Sequence, residues 1–224
     1  MARTNVEPGF PQRLSDGYKA FFYGRLRHER ERMEQLAAKG QRPEIMLIAC
    51  CDSRAAPEVI FDAAPGEIFT VRNVANLVPP HAPDDDYHGT SAALEFAVQA
   101  LKVQHIVVMG HGRCGGVHAF RESHEGIAGD PLSPGDFIGK WMSLIEPAAL
   151  DMRCEDVTSA DARQRALEEA SVRNSIANLM TFPCVNILAG RGQLRLHGAW
   201  FDISQGELWV MDGATGDFKP MLTA

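Results

Sequence analysis

The chain has 224 residues and a formal net charge of −7. The length suits one domain, or one core with appendages, and the acidic balance argues against a nucleic-acid partner, whose phosphates want a basic surface. No apolar run approaches the roughly 20 residues of a membrane span, residues 1–10 lack the apolar core of a secretory signal, and five cysteines at irregular spacing argue against a disulfide framework, so a reducing, cytoplasmic setting is expected.

Residues 11–40 read as helix. Leu14, Tyr18, Phe21 or Phe22, Met33 and Leu36 recur at approximate helical spacing, and Arg25 to Arg32 mixes Arg and Glu at i,i+3 and i,i+4. Large apolar residues on so exposed a segment point to a helical arm, residues 1–40, lying on a second subunit. Residues 41–224 are expected to form a single α/β domain.

Within that domain, residues 45–51 form a first strand and residues 67–73 a second, introduced by Pro65-Gly66. A short helical connection, residues 56–63, lies between them. Residues 78–89 read as a loop. Residues 90–102 are an amphipathic helix that buries Leu94, Ala97, Val98 and Leu101. Residues 105–110 form the third strand, and Gly115-Gly116 opens a helix through Phe120. Residues 121–140, rich in Gly, Pro and charge, are a loop or short-helix insertion. Helices follow over residues 141–153 and 160–180, the second stopped by Pro183. Residues 184–188 read as a fourth strand. Residues 194–203 and 207–211 alternate about Ser204-Gln205-Gly206, a hairpin signal. The expected fold is therefore α/β: a mainly parallel sheet of four strands with an antiparallel edge hairpin, flanked by helices.

Two stretches carry the chemistry. Cys50-Cys51-Asp52-Ser53-Arg54 ends the first strand, and His111-Gly112-Arg113-Cys114 ends the third. In an open parallel sheet, ligands bind outside the carboxyl ends of the strands. Soft thiolates with an imidazole suit zinc, and three protein ligands leave a fourth position for chemistry. Two thiolates cancel the charge of the ion; Asp52, paired with Arg54, can then stay off the metal. Cys114, at the start of a helix, sits where the dipole favours thiolate. Cys51, adjacent to Cys50, points to the opposite face of a strand. A thiol switch between the two is the alternative use of the pair. Cys154 and Cys184 read as buried small apolar residues.

Cys50-x-Asp52-Ser53-Arg54 with His111-x-x-Cys114 resembles the β-class carbonic anhydrases. Pro65-Gly66-Glu67, Val71-Arg72-Asn73-Val74-Ala75-Asn76 and the run from Gly110 to Gly116 are similar to that family as well. The resemblance implies that Cys50, His111 and Cys114 bind one zinc ion per subunit, and that Asp52 and Arg54 form the dyad governing the fourth position. Gln41 and Phe69 fall where the open, plant-like site type places a substrate-binding amide and an apolar pocket residue. Phe96 stands where many relatives have Tyr. Dimers, often paired into tetramers, are also implied.

The resulting expectation is reversible hydration of carbon dioxide to bicarbonate and a proton by zinc-bound hydroxide. Phe69, Val74, Phe96 and Gly112 would shape the substrate pocket, with Gln41 bonding a substrate oxygen. His88 and His118 are candidate proton relays. Arg72, Asn73 and Asn76 either wall the site or hold an interface. The alternatives are a carbonyl sulfide or carbon disulfide hydrolase on the same fold, and a non-catalytic zinc-containing bicarbonate-binding protein, in which Cys51 could close the metal site.

Overall fold

A computed structural model describes residues 9–84, 86–127, 136–150 and 159–222. The chain divides into two compact units, residues 1–41 and 42–224. In the first, α1 (Gln12–Tyr23) and α2 (Leu26–Lys39) replace the single expected helix, because the chain breaks at Gly24. The expected charge pairing includes Arg25–Glu29 at 3.2 Å. Neither helix buries a residue, and Leu14, Tyr18 and Met33 remain exposed.

The second unit is built on a sheet in the order β2-β1-β3-β4-β5-β6. Strands β1 (Ile45–Cys50), β2 (Ile68–Asn73), β3 (His105–His111) and β4 (Arg195–Asp202) pair in parallel. The antiparallel edge is formed by β5 (Glu207–Met211) and β6 (Phe218–Pro220). Period-2 alternation sorts the strands cleanly. Met46, Ile48, Ile106 and Val108 enter the large core, while Leu47, Ala49, Met109 and Ala199 enter a small cluster on the other face.

Short helices connect these strands: α3 (Pro57–Ile60), α4 (Gly89–Glu95), continued by a wider turn over Phe96–Leu101, α5 (Gly115–His124), α6 (Asp136–Met142) and α7 (Glu146–Leu150). Leu94, Ala97 and Val98 are buried as expected, Leu101 only partly. The insertion expected over residues 121–140 supplies the end of α5 and most of α6; residues 128–135, and the stretch 151–158 that holds Cys154, lie outside the described residues.

The long helix α8 (Ala160–Leu179) packs on β3 and β4. Its Ser159 cap accepts from Ala162 N–H at 3.2 Å. It comes so close to β3 that a Cβ at Gly110 would sit 2.8 Å from Val172 Cγ2, and that approach requires glycine. Each fully buried Leu or Val of this core contributes roughly 1.5–3 kcal/mol.

The fourth parallel strand is not where the sequence placed it. Residues 184–188 lie within helix α9 (Pro183–Gly190). Helix α8 ends ahead of Pro183 as expected, but Pro183 also opens the next helix, at the position where its missing N–H is harmless. The strand beside β3 is β4, read from sequence only as a hairpin arm. The hairpin itself forms as expected, Ala199–Asp202 pairing with Glu207–Val210.

Candidate metal centre

β1 and β3 are neighbours running the same way, so their carboxyl ends open on one sheet edge. Cys50 closes β1 opposite Asn73, and His111 closes β3 opposite Phe201. The ladder runs one residue further, with Gly112 N–H donating to Phe201 O at 2.9 Å. Arg113 then turns the chain with a positive φ of 57°. Cys114 becomes the cap residue of α5.

Cys50, His111 and Cys114 are all buried, and their ligand atoms lie within 4.8 Å of one another. The two sulfurs are 4.0 Å apart. A tetrahedral zinc with sulfurs at ~2.3 Å holds them ~3.8 Å apart, so the spacing fits. The His111 ring is oriented by Nδ1, which donates to Gly112 O at 2.9 Å. That leaves Nε2 as the lone-pair nitrogen, and it is buried with no hydrogen-bond partner. A buried polar atom without a partner demands a reason, and a cation between three such donors supplies one. Cys51 is exposed and is not part of the cluster.

Beside the cluster, Arg54 grips Asp52 with a fork. Nε donates to Oδ1 at 2.9 Å and Nη2 to Oδ2 at 2.7 Å, while Arg54 N–H donates to Oδ1 at 2.9 Å. Asp52 Oδ2 stands 3.9 Å from His111 Nε2. A second arginine holds the backbone of the same turn. Arg72 donates from Nε to Cys50 O at 2.8 Å and from Nη2 to Asp52 O at 2.7 Å. Arg72 thus clamps the loop that carries the first ligand.

The carbonic anhydrase family model matches residues 45–208. The chain belongs to the β-carbonic anhydrase family. It is 37% identical over 183 residues to β-carbonic anhydrase 6, mitochondrial, of Arabidopsis thaliana, covering 80% of this chain and 60% of that protein. The chain spans about three fifths of the length of the curated relatives it matches. Its structure resembles that of the β-carbonic anhydrase CcaA with a TM-score of 0.83 at 30% identity, over 95% of this chain and 92% of that one. It resembles a tetrameric β-carbonic anhydrase of Sordaria macrospora with a TM-score of 0.75 at 28% identity, over 92% and 97% of the two chains.

In this member of the β-carbonic anhydrase family the electrostatics follow from the geometry. The bond between the sulfurs draws the Cys50 thiol well below its ordinary value, and the same bond, with burial, pushes Cys114 up. Two sulfurs this close cannot both ionise without a cation between them. Burial pulls His111 down, but the neighbouring Cys50 sulfur carries it up overall. Asp52 is held far below the usual carboxylate range, chiefly by the Arg54 side chain.

The remaining candidates divide. Val74 packs against the start of α5: a Cβ on Gly116, two residues past Cys114, would sit 3.0 Å from its Cγ1. Gly112 is also there, but its N–H and C=O are engaged by Phe201 and His111. It therefore orients a ligand rather than offering groups to substrate. Phe69 and Phe96 pair with each other, ring centroids 5.9 Å apart. Phe69 faces Met46, four residues before the Cys50–Asn73 row, about 13 Å down the strand. Gln41 ends the N-terminal unit and is exposed. His88 and His118 are exposed and occupied locally, His88 by Asp84 at 2.6 Å and His118 by Glu122 at 3.4 Å. Asn73 is tied to Leu77 through both its amide groups, at 2.8 and 2.9 Å, and shapes the turn after β2. Asn76 is buried in that turn with a φ of 51°.

The sequence reading missed one functional neighbour altogether. Glu168, 2% exposed on α8, accepts the Cys114 N–H at 2.9 Å. Its only sequence signal is an acid on what becomes the buried face of a helix.

Proposed function

We propose that the chain is a zinc-dependent carbonic anhydrase that interconverts carbon dioxide and bicarbonate. The observation that supports this most directly is the buried Cys50–His111–Cys114 cluster with His111 Nε2 unpartnered, flanked by a carboxylate that does not join it. Those three residues would hold the ion. When bound, zinc supplies a Lewis acid that makes hydroxide available from water near neutral pH.

The chain's own groups do the rest. Arg54 keeps Asp52 ionised and outside the three-residue cluster, so Asp52 would be an acceptor beside it. Asp52 Oδ2 would orient the reacting water by accepting its proton in a hydrogen bond. Arg72 holds the Cys50 and Asp52 carbonyls, which fixes the distance between ligand and acceptor. Val74 forms an apolar wall suited to an uncharged linear substrate. Phe69, about 13 Å down the sheet from the Cys50 row, would with its ring partner Phe96 line a pocket across a subunit interface, and Gln41 would bond a substrate oxygen. A homodimer or tetramer is thus part of the proposal; the exposed apolar residues of α1 and α2 and the tetrameric relative support it. A reducing compartment, taken here as the cytoplasm, would keep both ligand sulfurs reduced and unbridged.

Stopped-flow measurement of carbon dioxide hydration, run with zinc stoichiometry on the same sample, tests the reading. Turnover with one zinc per chain is expected. A protein that holds zinc and does not hydrate carbon dioxide overturns it and passes the site to another linear substrate such as carbonyl sulfide. A protein that turns over without metal overturns the zinc assignment.

A further inference from the structure

Three hydrogen bonds converge on Glu168. The Cys114 N–H and Gln164 Nε2 donate to Oε1 at 2.9 and 2.8 Å, and Trp200 Nε1 donates to Oε2 at 3.0 Å. The group is buried, and burial raises its pKa. Among the described residues no cation forms a salt bridge with it. A buried carboxylate without an ion pair is expensive to keep. An apolar residue at this helix position would pack without that cost, so the carboxylate needs an explanation beyond packing.

What it holds supplies one. Gln164 Nε2 also reaches Cys114 O, at 3.3 Å, so α8 grips the third ligand at both its N–H and its C=O. Trp200 extends the bracket to the loop between the ligands. A Cβ on Gly112 would sit 3.0 Å from its Cζ2 atom. The Arg165 guanidinium lies over this indole, 4.4 Å from the ring centre, and over that of its cross-strand partner Trp209 at 4.1 Å.

We propose that Glu168 is the positioning residue of Cys114. By binding the Cys114 amide, Gln164 and Trp200 at once, it fixes the third thiolate in the orientation the metal needs and thereby slows metal release. The inference rests on the reading of Cys50, His111 and Cys114 as a zinc site. Partners behind a metal ligand typically change affinity by about 10–100-fold when removed.

The test is the rate at which zinc leaves the loaded protein to a chromophoric chelator. Glu168→Gln puts an amide N–H against either the Trp200 N–H or the Cys114 N–H and Gln164 Nε2 together, so at least one bond must break. It should keep the far-UV spectrum and release zinc about 10–100-fold faster. Glu168→Asp, one methylene short but still a carboxylate, is read the same way should the first variant not fold. Leu179→Ala, a core truncation on the same helix, is the control; it should lower the melting temperature without accelerating release. Independently of any variant, the Cys114 amide of the wild type should exchange with deuterium far more slowly than an exposed amide. Wild-type release rates in the folded Glu168 variants, equal acceleration by Leu179→Ala, or fast exchange at Cys114 would each overturn the assignment. A wild type that takes up no zinc would remove the metal reading instead, and the two failures are distinguishable.

Discussion

Consider the substitution Arg72→Met, which keeps an apolar stem and removes the fork. Arg72 makes two short bonds to backbone carbonyls, Cys50 O at 2.8 Å and Asp52 O at 2.7 Å. A hydrogen bond from a charged donor contributes ~1.5–3 kcal/mol, so the pair has an upper value of ~3–6 kcal/mol. Arg72 is only half-buried, and so is Asp52, whose carbonyl can recover water where that of the buried Cys50 cannot, which brings the expected loss to about 2–4 kcal/mol. For a chain of this size each kcal/mol shifts the melting temperature by roughly 2–4 °C, so a fall of about 5–15 °C is expected in calorimetry of the zinc-loaded protein. The three ligand atoms are untouched and zinc should stay. Turnover should nevertheless drop by about 10–100-fold, because the peptide that carries Asp52 is no longer fixed and small misplacements are costly. Arg72→Lys, a point charge able to reach one carbonyl, should fall between. A melting temperature within about 1 °C of wild type together with unchanged turnover would refute the clamp.

Cys50→Ser and His111→Ala should each lose zinc and turnover together, by metal analysis and stopped-flow on the same preparation; an active metal-free variant would contradict the site. The carboxylate Asp52 has a folded pKa depressed by Arg54, so the stability it contributes is fully present above its unfolded value, ~3.9, and fades as the pH falls below that. Asp52→Asn should therefore lower the urea midpoint at pH 7 and converge on wild type in acid; a gap that stays constant down to pH 3 would show that its ionisation is not the cause. Gly110→Ala forces a Cβ to within 2.8 Å of Val172 Cγ2. It should destabilise by about 1–3 kcal/mol through overpacking, read as a lower urea midpoint with little change in its slope.

The elements that came through from sequence are those specified within a few residues. β1, β2, β3 and the Ser204-Gln205-Gly206 hairpin have local signatures of alternation, apolar runs and turn residues. The run at residues 184–188 failed because a short apolar stretch has no readable period. Its Pro183 could open a helix as well as end one. Strand β4 was found, but its place beside β3 depends on pairing His105 with Arg195 across 90 residues, which no local signal encodes.

The same division runs through the site. Cys50, His111 and Cys114 are chemically distinctive and each falls at the end of an element, so their types and spacing announced a metal ligand set before any coordinates. Which groups stand behind them was decided only on folding. Arg72 reads from sequence as a wall of the site or part of an interface; only the register set it beside the Cys50–Asp52 turn as a clamp. Phe69 reads as a pocket residue, and only the same register shows that it lies four rows from Cys50. Glu168 is silent in sequence because the buried face of α8 is partly polar, Gln164, Glu168, Ser171 and Ser175 among it. A search for apolar periodicity passes over such a face. Hydrogen bonds between distant segments leave no pattern in the chain, and it is those bonds that hold the ligands in place.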